Sequence, residues 1–355
     1  MFERDMKYYV ILVICTLCIF AANCIFLAIR WIVAKFFTVK RGRSSDGKVT
    51  DVTPISLPEV KVTFPARLIY GEEVIAEKYN PSDLAQLPKV RLGEGSLGTL
   101  FKVVLDCGST VVMRKIRDGL VSSDELDFWI KFFGQIHDEW LLPVECSFWY
   151  GREAFLLSKY LCLGSLEELL HGSEGIKFTP LDWSIRVKIA LCAAKAVASL
   201  HRHVTRNGEP LICGVIKSSN ILSQTDYIAC LSSYETPYLV SPATLIRRNP
   251  GRVAPELKQN HSYPKFFTQK SDAYSFGILL LELITCKRPS VINLAQLLKE
   301  RKRKEGLRGL CDERLGEVKE SVFEMVKIAE MCLLHNPNQR PSMDRVVQMI
   351  QKLQD

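Results

Sequence analysis

Nothing in this 355-residue sequence is spaced as a disulfide framework or as a zinc-binding motif. Its 12 cysteines are scattered singly, apart from Cys15 and Cys18 inside an apolar run, so most of the chain belongs in a reducing compartment. A strong excess of one charge is also missing. The formal net charge of +8 is modest for this length, and the surplus lies in short runs such as Lys299–Lys304. With no nucleic-acid-binding motif present, such a run reads as a solvated helix face or loop, and nucleic acid is not an expected partner. The 47% hydrophobic content excludes global disorder, and the length suits a two-lobed unit with additional segments.

Charge is wholly absent from Tyr8 to Ile29, an apolar stretch of about 22 residues, enough for a helix across a bilayer core. Tyr8 and Tyr9 mark one end, and Trp31, Phe36 and Phe37 the other, as interfacial aromatic belts do. Arg30, Lys35, Lys40, Arg41, Arg43 and Lys48 follow the span, whereas Glu3 and Asp5 offset Arg4 and Lys7 before it. This asymmetry puts the carboxyl side in the cytoplasm and lets the basic segment hold anionic lipid. A cleaved signal peptide is the competing reading, but the run is long and lacks a small-x-small cleavage site. The expected organisation is a short extracytoplasmic amino terminus over residues 1–7, a transmembrane helix over 8–29 and a juxtamembrane linker over 30–83. With only about seven residues before the span, no extracellular ligand-binding domain is expected in this chain. Arg41–Pro65 is polar, with prolines at 54, 58 and 65, as a linker would be. Val60–Glu77 is expected to add a short strand or two.

Gly93, Gly95 and Gly98 stand in G-x-G-x-x-G spacing within Leu92–Lys102. By itself this is weak, because glycines also make tight turns. Thr99–Leu105 and Val111–Ile116 read as strands on either side of a turn. A strand–glycine loop–strand order disfavours a dinucleotide fold, where a helix follows the loop. Ser122–Gln135 reads as a helix, and Phe155–Leu161 as a strand. Ser165 and Glu168 form a capping box for a helix that stops at Gly172. Asp182–His203 has helical apolar spacing. Then come Cys-Gly-Val-Ile-Lys-Ser-Ser-Asn-Ile-Leu at 213–222, Ser232-Ser233-Tyr234-Glu235, Ala254-Pro255-Glu256, Ser271-Asp272-Ala-Tyr-Ser-Phe-Gly277 and Arg340-Pro341.

In this order, from about Leu84 to Asp355, these stretches resemble the cytoplasmic domain of plant receptor-like kinases, especially the leucine-rich-repeat type. The resemblance implies an α+β, two-lobed protein-kinase-like fold over residues 84–355, with a small sheet-rich lobe, a larger helical lobe and a nucleotide cleft between them. It also assigns roles. Gly93, Gly95 and Gly98 would cover phosphate, and Val112 stands where a small residue usually lies under adenine. The phosphate-gripping lysine position falls on Arg114. Lys115 should point away, because strand side chains alternate, unless a bulge turns it inward. The glutamate partner position falls on Trp129, with Glu125 one turn earlier as a substitute. Lys217 and Asn220 match H-R-D-x-K-x-x-N, but the base position is Val215, and Gly214 replaces the arginine that reads an activation-segment phosphate. Ser233 takes the place of the metal-binding Asp, a poor exchange for a hard dication, although Glu235 stands two residues on. Asn220 is the one recognisable metal ligand left, and a weak one.

Fold-holding positions, by contrast, are kept: Glu256, Asp272 and Arg340, with Glu256 and Arg340 expected to form an ion pair. Residues that hold the fold survive, and residues that move a phosphoryl group do not. The expectation is an inactive family member anchored in the plasma membrane, which acts through other membrane receptor kinases or their cytoplasmic substrates. The alternative is a weak or unconventional serine/threonine kinase. No cofactor is required, and ATP binding is expected to be weak and metal-independent, through Arg114 and the glycine loop. Arg114 also has the option of stacking on Trp129 as a cation–π pair. Arg247, Arg248 and Arg252 read as a solvated loop open to an acidic partner. The charge asymmetry predicts that a carboxyl-terminal tag is protected from protease inside sealed right-side-out plasma-membrane vesicles, and digestion of that tag there would refute the orientation.

Overall fold

The computed structural model describes residues 66–71, 87–105, 108–172, 181–258, 266–304, 307–315 and 320–354, all within one unit, Val62–Asp355. The expected membrane span, the short amino terminus and most of the linker lie outside the described residues. Among the described residues no helix is long and apolar enough to cross a membrane.

The small lobe is one antiparallel sheet built from β1 (Ala66–Tyr70), β2 (Lys89–Glu94), β3 (Gly98–Val104), β4 (Thr110–Ile116), β5 (Cys146–Tyr150) and β6 (Glu153–Lys159), in the order β1-β5-β6-β4-β3-β2. Strand alternation sorts the side chains of β4 to two faces. Val111 and Met113 join Val103, Phe148, Phe155 and Leu157 in one cluster. Ile116 joins Leu97, Leu126, Ile130 and Leu156 in another. Helix α1 (Ser123–Gly134) covers that second face. Ser122 caps it by accepting the Glu125 amide, and two acidic residues in its first turn suit the positive end of the helix dipole.

The larger lobe is helical. It holds α2 (Leu166–His171), α3 (Trp183–Arg202), the β7 (Ile221–Ser223) and β8 (Ala229–Leu231) ribbon, α4 (Thr236–Leu239) and α5 (Pro242–Arg248). It continues through α6 (Gln269–Thr285), α7 (Leu294–Lys304), α8 (Glu320–Cys332) and α9 (Met343–Gln351). Both halves of the Ser165–Glu168 capping box form, and Gly172 ends α2 at φ +72°. Helix α6 is buried around almost its whole circumference, Asp272, Ser275 and Glu282 included, and packs among α3, α7 and α8. Lys299–Lys304 continues the solvent-edge helix α7.

Arg340 lies fully buried and donates to both oxygens of Glu256, at 2.6 and 2.8 Å, and also to the carbonyls of Leu334, Lys270 and His335. Five acceptors thus converge on one guanidinium, and its removal strands them. Arg340→Met is expected to cost about 1–3 kcal/mol in denaturant unfolding of the full chain, the penalty for leaving buried acceptors without a donor, because the Glu256 side chain itself is 30% exposed. Lys327→Met, at an exposed pair with Glu324, should leave the midpoint where it was. Equal small effects of the two would show that the Arg340 bonds do not hold the lobe.

Candidate functional site

A cleft of about 610 Å³ separates the sheet from the helical lobe. Gly93, Gly95, Leu100 and Val112 line its roof, Ser158 and Tyr160 lie along the wall, and Lys217, Asn220, Leu222 and Ser233 form the floor. Gly98, by contrast, lies in the sheet. At φ +155° a Cβ on it would meet the Lys115 carbonyl oxygen at 2.0 Å, so the β3–β4 pairing already excludes any larger residue. Gly93 has open space and Gly95 ordinary contacts. The Gly95 amide donates to the Gly98 carbonyl at 2.8 Å, and the Gly95 carbonyl accepts from Arg248 of α5 at 2.7 Å. The glycine loop is therefore tied to the larger lobe by an arginine.

Arg114 points from β4 into the cleft, and Lys115 points to the opposite side, where it pairs with Glu153. Alternation, not a bulge, governs this strand. Arg114 is buried, and both terminal nitrogens of its guanidinium are taken, Nη2 donating to Ser233 Oγ at 2.6 Å and Nη1 to Glu235 Oε1 at 3.1 Å, while Nε is buried without a partner among the described residues. Glu235 is itself buried. Two expectations are corrected here. Glu235 is bonded to an arginine rather than free to recruit a metal, and the acidic partner of position 114 is Glu235, not Glu125, which is exposed.

The cation–π expectation also fails. Trp129 lies against Tyr238 at 4.5 Å between ring centroids and against Phe133 at 5.9 Å. Phe133 in turn meets Tyr234 at 5.7 Å, and the Tyr234 hydroxyl donates to the Leu142 carbonyl at 3.0 Å. An aromatic column thus occupies the ground where an ion pair would join α1 to β4. The buried carboxylate of α1, Asp127, is held by Arg67 and Trp149, and the carboxylate that meets Arg114 comes from the segment after β8.

Val215 is buried in the apolar cluster with Leu239, Val240, Leu245 and Val253. Ahead of it Gly214 turns at φ +76°, with the Val215 amide bonded to the Cys213 carbonyl at 3.0 Å. A Cβ there would meet Pro237 at 2.6 Å. The loop therefore accommodates glycine, and an arginine side chain has no room. Lys217 and Asn220 stand at the cleft floor beside Ser233. The Asn220 carbonyl accepts from the Ser232 amide and hydroxyl, at 2.8 and 3.0 Å.

Ser218 donates to Glu282 of α6 at 2.9 Å, and Glu282 also takes Arg252 at 2.8 Å and His171 at 3.1 Å. Burial alone would raise the Glu282 carboxyl, yet these partners hold it below its ordinary value. His171 moves the other way. Burial pulls it down, but bonds to Cys286 and Glu282 outweigh that and push it up to about 9. Arg252 is accordingly a buried structural cation, which corrects its expected place in a solvated loop. Asp272, at the other end of α6, accepts the Cys213 amide at 2.7 Å and His201 Nε2 at 2.9 Å. Sequence reading missed Glu282 and His171, and it placed Arg248 and Arg252 in a solvated loop rather than on Gly95 and Glu282. Only Glu235 carried a signal, a charged residue where a tight turn normally wants glycine.

Lys217 has no ion-pair partner among the described residues. Burial, then repulsion from Arg252 and Arg114, lowers its ammonium to about 8. Because the unfolded chain keeps the ordinary value of 10.5, it binds more protons than the folded chain between about pH 8 and 10.5. The charged lysine is therefore unfavourable to folding below pH 8, and that penalty vanishes as pH rises through this window. Lys217→Met should be more stable than the natural chain at pH 7 in urea unfolding, with the gap closing by pH 10. A gap that does not change with pH would rule out a strained lysine.

The protein tyrosine and serine/threonine kinase family matches residues 88–350. A probable inactive receptor kinase of Arabidopsis thaliana is 34% identical over 287 residues, covering 78% of this chain and 43% of its own length. A leucine-rich repeat receptor-like protein kinase of the same plant, PXC1, is 29% identical over 341 residues, covering 88% of this chain and 48% of its own. The chain thus spans about half the length of these curated relatives. Among solved structures, the kinase domain of maize SIRK1 (sucrose-induced receptor kinase 1) bound to AMP-PNP superposes with a TM-score of 0.71 at 25% identity, covering 82% of this chain and all of that one. With the two lobes, the cleft and these matches together, the chain belongs to the protein tyrosine and serine/threonine kinase family, on the plant receptor-like branch that includes inactive members.

Proposed function

We propose that this chain is a membrane-anchored receptor-like pseudokinase, which signals through contact with other membrane receptor kinases or their cytoplasmic substrates and has lost phosphoryl transfer. The bond from Arg114 to Ser233 and Glu235 carries this reading. It joins the phosphate-gripping position to the metal-binding position, so each neutralises what the other would need. The base position offers only the alkyl side chain of Val215. A positioned general base contributes about 10²–10⁴-fold, and clamps on the transferring group comparable factors. Without them, a typical kinase turnover of about 1–100 s⁻¹ falls below use. What remains is a braced two-lobed body suited to presenting surfaces. Inactive receptor kinases among the relatives support the same reading, and the uncharged apolar sequence of residues 8–29 supports the anchor.

Nucleotide binding, in this reading, is weak and independent of metal. The Gly95 amide is already bonded to the Gly98 carbonyl, Val112 narrows the adenine side, and Arg114 is already bonded. Asn220 is a neutral amide and a poor ligand alone. Calorimetric titration of ATP into the full chain should give weak heats, unchanged between EDTA and excess Mg²⁺. Single-turnover assays should give no more transfer than a Lys217→Ala, Asn220→Ala variant. Tight binding that EDTA abolishes, or transfer that this variant loses, would instead favour an unconventional kinase working through Lys217 and Asn220.

A further inference from the structure

Beneath the cleft, three side chains from distant parts of the chain meet: His201 at the end of α3, Cys213 in the loop before Val215, and Asp272 in the first turn of α6. One ligand-type atom of each lies within 4.8 Å of the other two. All three side chains are buried or nearly so. The hydrogen bonds leave an imbalance. Asp272 Oδ2 accepts both the Cys213 amide and His201 Nε2, whereas Asp272 Oδ1 is buried and has no partner. An orphaned carboxylate oxygen in a fully buried residue loses its water without replacement, which opposes folding. Something should face it.

We propose that His201, Cys213 and Asp272 bind a zinc-class divalent ion, with Asp272 Oδ1 as the oxygen ligand. The donor set decides the metal class. A thiolate with an imidazole suits a borderline-soft ion and disfavours magnesium or calcium, which want oxygen alone. Ligands at about 2.0–2.3 Å from a tetrahedral ion lie roughly 3.5 Å apart, so the observed span closes with side-chain adjustment of about an ångström. Binding displaces the thiol proton of Cys213 to solvent and leaves His201 neutral, with its ring proton on Nδ1. The Tyr238 hydroxyl, which accepts the Ile212 amide at 3.0 Å, borders the site.

Linear spacing conceals this set, because its members are 12 and 59 residues apart along the chain. The ion would join the end of α3, the remnant of the catalytic loop and the central helix, and so it belongs to the stability of the larger lobe rather than to phosphoryl chemistry.

The test is metal content by mass spectrometry on the purified full chain after dialysis into metal-free buffer, with cobalt substitution as a spectroscopic readout. The natural chain should retain stoichiometric zinc, melt at lower temperature after chelation and, with Co²⁺, show a thiolate-to-cobalt absorption band. Cys213→Ser keeps the backbone amide that Asp272 accepts, and it should lose the band and fall to trace zinc. His201→Gln should fall likewise, and Cys332→Ser, at a buried thiol elsewhere, should keep the metal. If a site variant fails to fold, the natural chain still decides through its metal content and its response to chelator. A natural chain with no zinc and no change in melting on zinc addition overturns the proposal, as does zinc that survives in Cys213→Ser. In those cases a proton or a water faces Asp272 Oδ1.

Discussion

Two carboxylates on one buried helix hold the loop on which this molecule is centred. Asp272 takes the Cys213 amide and Glu282 takes the Ser218 hydroxyl, ten residues and about 15 Å apart along α6. The loop between those anchors is therefore gripped at both ends by a single rigid rod. Buried carboxylates persist only where partners replace their water. Arg252, His171 and Ser218 do so for Glu282, and each belongs to a different segment. The loop keeps its course because these bonds involve its backbone and Ser218, none of which performs chemistry. That is why Val215 can replace a base without the loop collapsing.

The same separation of scaffold from chemistry runs through the cleft. Arg248 ties the glycine loop down from α5, and Arg114 ties the sheet to the segment after β8. The aromatic column of Trp129, Phe133 and Tyr234 ties α1 to that same segment by packing. Three contacts of different physical kinds thus bridge the lobes. An active phosphotransferase needs its lobes to open and close around substrate, whereas these bridges favour one arrangement.

Much of the fold was legible because its signals are local. Ser122, Ser165 and Asp182 announce helix starts, and the alternation of β4 correctly sends Lys115 away from the cleft. Glu256 and Arg340 could be paired only because the family resemblance linked two distant motifs. The site was less legible, since its bonds join residues far apart in sequence. Arg114 and Glu235 are separated by 121 positions, and nothing in either neighbourhood marks the other as partner. Arg252 looked like one of several loop arginines, and only its place behind α6 makes it a buried cation. Trp129 was recognised as a departure, but whether it would face Arg114 or Tyr238 depends on how α1 rotates against α4. No local pattern carries that angle.

The arginine–glutamate bond across the cleft also limits which sequences are reachable from this one. Returning position 235 to glycine alone leaves Arg114 buried with only a serine hydroxyl, and removing Arg114 alone leaves Glu235 as an unpaired buried anion. Either intermediate loses about 3–5 kcal/mol, a large share of the roughly 5–15 kcal/mol by which folded domains survive. An aspartate at position 215 would enter an apolar cluster and face the same barrier. Substitution toward the family's usual residues at these positions would therefore have to cross several destabilised sequences in succession. The bond acts as an epistatic ratchet, holding positions 114 and 235 to their present residues by folding stability alone.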